Sequence, residues 1–295
     1  MPEINNSVHD RSTAPISVWR RSMNSLVTLA ATGAVLLVLL PLIAIFGYLI
    51  YKGVGSLNWA FFTQIPKPSG ETGGGMANAI AGSILLLAIA STAGVPIGIG
   101  AGIYLAEYGR NRFGNLIRFT ADVLNGVPSI VIGIVAYSLI VVTTGGYSAL
   151  AGGVALAIMM VPIIARTTEE MLLLVPNIVR EAAYGLGVSR WRTTLSITLR
   201  TASSGVITGV MLAFARVAGE TAPLLFTALG NQFWNWKLNQ PTAALSLQIF
   251  SYATSPYDDQ RRQAWAGALI LIILIVVSVS AVRYVASRGM LKGAN

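Results

Sequence analysis

No residue between Arg21 and Lys52 is charged, and Val35-Leu36-Leu37-Val38-Leu39-Leu40 forms the apolar centre of the stretch from Ser25 to Ile50. A helix needs about 20 apolar residues to cross the hydrocarbon layer of a bilayer, so this stretch predicts a transmembrane span. It exceeds the apolar run of about 7 to 15 residues in a secretory signal, and no small-residue cleavage site follows it, so it is expected to stay in the mature chain. The rest of the 295-residue sequence agrees: 54% of residues are apolar and only 11% are charged, with a mean hydropathy of +0.68. Soluble domains carry about a quarter charged residues, so this composition cannot clothe a water-facing surface.

Further apolar runs place span two at 76–105, span three at 116–142, span four at 148–165, span five at 201–229 and span six at 264–282, with Arg118, Asp122, Arg216 and Glu220 the charges within them. The uncharged interval from Asp122 to Arg166 is too long for one crossing and divides at Thr143-Thr144-Gly145-Gly146-Tyr147. Lipid satisfies no backbone hydrogen bonds, and runs this long suit helices rather than barrel strands. The expected fold is therefore an all-α membrane protein with six transmembrane helices. Short polar tails at 1–24 and 284–295 flank a membrane domain at 25–283, whose core is 76–283. Trp59, Phe61 and Phe62 in the first loop read as interfacial aromatics.

The basic residues set the sidedness. Fourteen lie in the tails and alternate loops: Arg11, Arg20, Arg21, Arg110, Arg112, Arg118, Arg166, Arg180, Arg190, Arg192, Arg200, Arg283, Arg288 and Lys292. Five mark the other side: Lys52, Lys67, Lys237, Arg261 and Arg262. Positive charge concentrates on cytoplasmic loops, so both termini are expected inside the cell. The formal net charge of +9 then reports orientation rather than nucleic-acid binding.

The absence of cysteine excludes disulfides, thiolate metal sites and cysteine nucleophiles, and the one histidine, His9, reads as a solvated tail residue. A P-loop is excluded too, because none of Lys52, Lys67, Lys237 and Lys292 precedes Ser or Thr. Gly98-Ile99-Gly100-Ala101-Gly102 has no strand before it and reads as helix packing. Gly94, Gly98 and Gly102 recur every four residues, a face that lets a neighbouring helix approach closely, with Pro96 as a kink.

The longest internal cytoplasmic stretch, 166–200, reads as two short helices broken at Pro176 and around Gly185-Leu186-Gly187. Asn177 and Ser189 are candidate N-caps, Gly187 a left-handed stop, and Trp191 a headgroup anchor. Glu181-Ala182-Ala183 is followed at fixed spacing by Gly187, Ile197 and Leu199. That spacing resembles the EAA loop of ABC importer permeases, with Arg200 where the family often has proline. The resemblance implies that this loop docks into a separate cytoplasmic ATPase, with Glu181, Ala182, Ala183 and Gly187 in the coupling contact. The competing reading, an amphipathic pair lying on the membrane surface, leaves the fixed spacing unexplained.

Inside span five stands Arg216, with Glu220 four residues on, where the two share a helical face and can pair. Each charge costs at least ~2.5 kcal/mol in the membrane, and such residues usually line a pathway. Arginine is shaped for phosphate oxygens, and glutamate would keep the trap shallow; an ion pair locking two helices is the other reading. Pro223 leaves the Gly219 carbonyl unbonded and predicts a kink. Asp122 is expected to cap the start of span three. Glu107 and Arg110 read as interfacial, and Asp258, Asp259, Arg261 and Arg262 as the outer end of span six.

The segment Arg216-Val217-Ala218-Gly219-Glu220-Thr221-Ala222-Pro223-Leu224-Leu225-Phe226-Thr227-Ala228, followed by Asn231-Gln232-Phe233-Trp234, resembles the signature of permease subunits of phosphate-specific ABC importers. Gly73 to Ala79, Gly102 to Arg110, and Arg166-Thr167-Thr168-Glu169 agree with the same family. The resemblance implies a type I (MetI-like) permease fold in the bacterial cytoplasmic membrane. It also implies four partners: a homologous permease subunit, an ATPase dimer holding ATP and magnesium, an extracytoplasmic phosphate-binding protein, and membrane lipid. The chain itself would bind no cofactor or metal and would not be an enzyme. Inorganic phosphate would pass by alternating access, with Arg216 and Glu220 on the pathway. Two rivals differ in class. An ATP-independent anion channel or ion-coupled carrier would use the same pair without an ATPase. A membrane-embedded enzyme finds little support, since Glu220 is the one carboxylate deep within an expected span.

Overall fold

A computed structural model describes residues 18–292, with side chains over 19–284; His9 and the rest of the expected N-terminal tail up to residue 17 lie outside the described residues. The chain divides into two compact units, 1–50 and 51–295. In the first, α1 (Val18–Val54) is one 37-residue helix that runs on through Pro41. Thr28 and Thr32 donate their hydroxyls to the carbonyls of Asn24 and Thr28, satisfying them inside the helix, as an apolar medium requires.

The second unit takes in the last turn of α1 and then α2 (Trp59–Thr63), started by Asn58, whose side chain accepts from the Phe61 amide at 2.8 Å. Of the three aromatics expected at the interface, Phe61 is instead 1% exposed, packed with Met76, Ala79 and Leu245. There follow α3 (Ala77–Glu107), α4 (Arg112–Gly126), α5 (Ser129–Ala136), α6 (Val142–Thr144), α7 (Ala149–Leu173) and α8 (Asn177–Gly185). The chain closes with α9 (Arg190–Thr193), α10 (Leu199–Ala218), α11 (Ala222–Thr227), α12 (Leu245–Ala253) and α13 (Asp258–Lys292). A π-helical turn, Tyr137–Val141, joins α5 to α6, and a second, Thr194–Thr198, joins α9 to α10.

Five helices are long and apolar enough to cross a membrane, and a bent pair passes the same test when its two halves count as one broken span. That pair corrects span three. Instead of one straight helix, Arg112–Gly126 and Ser129–Thr144 meet at 108°. Val127 and Pro128 sit in extended conformation between them, because proline forces the residue before it out of the helical region. Span four outgrows its expected 148–165, and span five starts before its expected 201–229 and ends short of it at Ala218. Helix α7 continues to Leu173, and Arg190–Ala218 is continuous, so only 174–189 separates the two rather than all of 166–200.

The centre of the bundle is the contact between α3 and α7, and the glycine face of α3 makes it possible. A Cβ added at Gly98 would lie 2.7 Å from the Ile164 Cβ, and one at Gly102 would lie 2.5 Å from the Thr168 Cβ. No side chain survives such an approach, so the two backbones close on each other as the spacing predicts. Leu86, Leu156, Met160, Ile164, Ala213 and Val217 fill the core between α3, α7 and α10. At the α7 start the Ser148 hydroxyl accepts from the Ala151 amide, and the Ala149 and Leu150 amides bond to the carbonyls of Gln240 and Leu238. The loop after α11 thus closes one end of the bundle; the opposite end holds α8 and most of the arginines.

Candidate functional site

At the arginine-rich end, α8 is pinned from behind. Arg180 reaches from α8 to Glu107 at the end of α3, Nε to Oε1 at 3.0 Å, and donates to the carbonyls of Val175 and Leu172 at 2.6 and 2.7 Å. Arg190 donates to the Glu107 carbonyl and stacks its guanidinium 4.6 Å from the Tyr108 ring. Glu107 is therefore a buried ion-pair partner, 6% exposed at its side chain, and not the interfacial residue its position suggested. Helix–helix distance was invisible in the sequence, where Glu107 and Arg180 lie far apart.

Of the expected coupling residues, Glu181 and Ala182 lie on the exposed side of α8, Ala183 is buried against the bundle, and Gly187 takes φ +77°. Glu181 takes part in none of the ion pairs among the described residues. Two large apolar side chains, Ile178 at 71% exposed and Leu186 at 84%, flank it. Asn177 is the first helical residue rather than the cap, a place held by Pro176, and Ser189 occupies the N-cap position of α9 without a side-chain cap bond. The expected second short helix is the first turn of span five, continuous with α10.

The intramembrane charges are arranged differently from the expected pair. Helix α10 ends at Ala218, so Glu220 lies beyond its C-cap, Gly219, in the break before α11. No ion pair joins Arg216 to Glu220 among the described residues. The four-residue spacing carries a pair only while the helix persists, and here it stops first. Arg216 instead occupies the last turn of α10, where its charge faces the unbonded carbonyl end of the helix. The Glu220 backbone carbonyl accepts from the Ser246 hydroxyl at 2.9 Å.

What α10 does bring to Arg216 is α7. Gly205 faces Met171 and Gly209 faces Thr167, an antiparallel register set by close glycine contacts. Arg216 thereby lines a cavity of about 310 Å³ with Asn125, Arg166, Thr167 and Glu170. Arg166 is held from both sides: Nη1 bonds Glu169 Oε2 at 2.6 Å and Nε bonds Asp122 Oδ1 at 3.0 Å. Glu169, 3% exposed at its side chain, also receives Arg118 Nε at 2.6 Å. Arg118 donates further to the carbonyls of Gly109 and Leu105, both at 2.9 Å. Asp122 is thus no helix-start cap. It sits in the second half of α4, near the unfavourable end of the dipole, and Arg166 compensates it.

Arg118, Arg166 and Glu169 were not singled out from the sequence as members of one site. The available signal was Arg166 and Glu169 three residues apart at the end of an apolar run, a spacing that places both on one helix face. Their cross-helix partners, Arg118 and Asp122, came into view only with the bend before Pro128.

Long apolar helices, a bent pair and an anchored surface helix define a multi-helix membrane protein. The same fold occurs in the inward-facing MetNI methionine ABC transporter, with a TM-score of 0.55 and 19% identity over 74% of this chain and 96% of that one. The family described as binding-protein-dependent transport system inner membrane component matches residues 94–290. Among curated relatives, the phosphate transport system permease protein PstA of Yersinia pestis is 46% identical over 260 residues, 88% of each chain. That of Haemophilus influenzae is 46% identical over 259 residues, 88% of this chain and 92% of its own. The Mycobacterium leprae PstA is 36% identical over 283 residues, 93% of each. The chain belongs to this family of inner-membrane transport components, among its PstA permeases, and is a permease subunit rather than an enzyme.

Proposed function

We propose that this chain is one permease half of an ATP-driven importer of inorganic phosphate, seated in the bacterial cytoplasmic membrane with both termini in the cytoplasm. A homologous permease chain completes the pathway, two copies of an ATPase holding ATP and magnesium dock beneath it, and a phosphate-binding protein delivers solute from outside. The observation that carries the substrate class is the Arg216 side chain, which lacks an ion-pair partner among the described residues and opens on a cavity shared with Arg166. A guanidinium held at a helix end can offer two parallel N–H donors to a phosphate oxygen pair. Its neighbour Arg166 already serves two carboxylates, so the cavity attracts an anion without becoming a deep trap. Glu220 lies beyond the end of α10 and outside the residues lining this cavity, where Glu170 is the carboxylate that limits the depth of the well.

Coupling runs through α8. Its exposed face, with Glu181 and Ala182, enters a groove of the ATPase, and the Arg180–Glu107 anchor passes the displacement to α3. Nucleotide drives the cycle only by favouring one of the two shapes of the assembly over the other. The alternative, an ATP-independent channel or carrier, lacks a role for this surface helix. The deciding experiment is uptake of labelled phosphate by proteoliposomes containing all four kinds of subunit. Uptake is expected only with ATP inside the ATPase compartment, and uptake by this chain alone would dismiss the proposal.

A further inference from the structure

Behind α8 lies a second cavity, of about 490 Å³, whose walls include Glu107, Tyr108, Arg110, Arg180, Tyr184 and Arg190. Three guanidiniums face one carboxylate. Arg180 and Arg190 are held largely by backbone carbonyls, at Val175, Leu172 and Glu107, which orient a guanidinium without cancelling its charge. Glu107 is committed to Arg180 at 3.0 Å. Arg110 enters no ion pair or hydrogen bond among the described residues, and the Arg190 guanidinium is steadied over the Tyr108 ring. The result is a pocket with preset N–H donors, two phenol rings and surplus positive charge, the donor set that phosphate oxygens select.

We infer that this pocket binds a phosphate group and, when filled, ties α8 to the end of α3. The phosphate comes either from the free inorganic ion on the α8 side or from the headgroup of an anionic phospholipid. This site is distinct from the Arg216 cavity, since the two share no lining residue. Binding stands on the pocket alone; its consequence rests on the coupling role proposed for α8. Because one wall is α8 and the opposite wall is the end of α3, an occupant bridges the joint that must move during the cycle. Occupancy by free phosphate would make the importer slow down as its own product accumulates, and occupancy by lipid would make its rate depend on membrane composition.

The test uses the assembled complex in nanodiscs of phosphatidylcholine alone or of phosphatidylcholine with phosphatidylglycerol. The variants are Arg110→Gln and Arg190→Gln, with Arg216→Gln as the pathway control. If free phosphate is the ligand, inorganic phosphate slows ATP hydrolysis in phosphatidylcholine discs, and Arg110→Gln raises the concentration needed by about tenfold, the loss of one charge-assisted contact. The uninhibited rate of Arg110→Gln stays as in the parent, and Arg216→Gln, whatever its own rate, needs the same phosphate concentration as the parent to be slowed. If the headgroup is the ligand, phosphatidylglycerol co-purifies with the parent complex, is lost from both pocket variants, and changes the hydrolysis rate of the parent only. Inhibition and lipid retention that are identical in parent, Arg110→Gln and Arg190→Gln would overturn the inference. So would phosphate binding to the permease that disappears once the ATPase is docked, since an ATPase side chain would then own the pocket. Failure of ATP-driven uptake would sink the proposed function and leave the binding result untouched, so the two can fail separately.

Discussion

Glu169 is the residue whose loss the bundle should feel most. It accepts from Arg118 and Arg166 at 2.6 Å each while nearly buried, so Glu169→Gln leaves two guanidiniums facing a neutral amide. Breaking a buried pair of this kind costs about 3 kcal/mol, and a thermal melt of the detergent-solubilised chain should show a clearly lowered Tm. Arg216→Gln should behave in the opposite way: no change in the melt, because Arg216 is exposed and enters no ion pair among the described residues, but loss of phosphate uptake in the assembled system. Normal uptake by that variant would reduce Arg216 to architecture. The chemistry of single residues was legible early, since an arginine amid apolar sequence announces itself. Its partner was not, because choosing Glu220 assumed a helix that ends two residues too soon, at Ala218.

Helix α3 shows how far spacing alone can reach. Gly94, Gly98 and Gly102 predict a close helix contact, and α7 occupies it. Replacing Gly98 by Val should therefore cost about 1–3 kcal/mol in the same melt, through overpacking against Ile164, whereas Gly100→Ala, which meets nothing within 4 Å, should be neutral or better. A similar contrast holds at the elbow. Gly187 lies at φ +77° in open space, so Gly187→Ala adds only backbone strain, about 1–2 kcal/mol, and turns α8 away from its docking angle. ATP hydrolysis should continue in that variant while phosphate uptake per ATP falls; unchanged coupling would remove the glycine from the mechanism. Glu181→Lys should uncouple in the same sense, by reversing the one charge at the centre of the exposed α8 face. Periodicity marks a helix face but not where a helix bends, which is why span three was drawn straight.

For the molecule as a whole, the lack of cysteine allows a direct test of sidedness. A thiol introduced at Ser189, next to α8, should react with an impermeant maleimide only from the cytoplasm, and one at Trp234 only from outside. Reversal of both would invert the orientation drawn from the arginine bias. The number of crossings, the helical class and that bias follow from the sequence, because hydrophobic length and net charge are sums along the chain that need no partner. The spacing of Glu181, Ala182, Ala183 and Gly187, on which the proposed coupling role rests, is likewise local to the sequence. The two arginine clusters were settled only by the tertiary structure. Glu107 meets Arg180, Arg118 meets Glu169 and Arg166 comes to line one cavity with Arg216 through helix contacts whose registers depend on the bend at Pro128, on glycine packing between α3, α7 and α10, and on where α10 ends. Ion pairing falls off within a few ångströms, so which charges act together depends on distances that only the packed helices define.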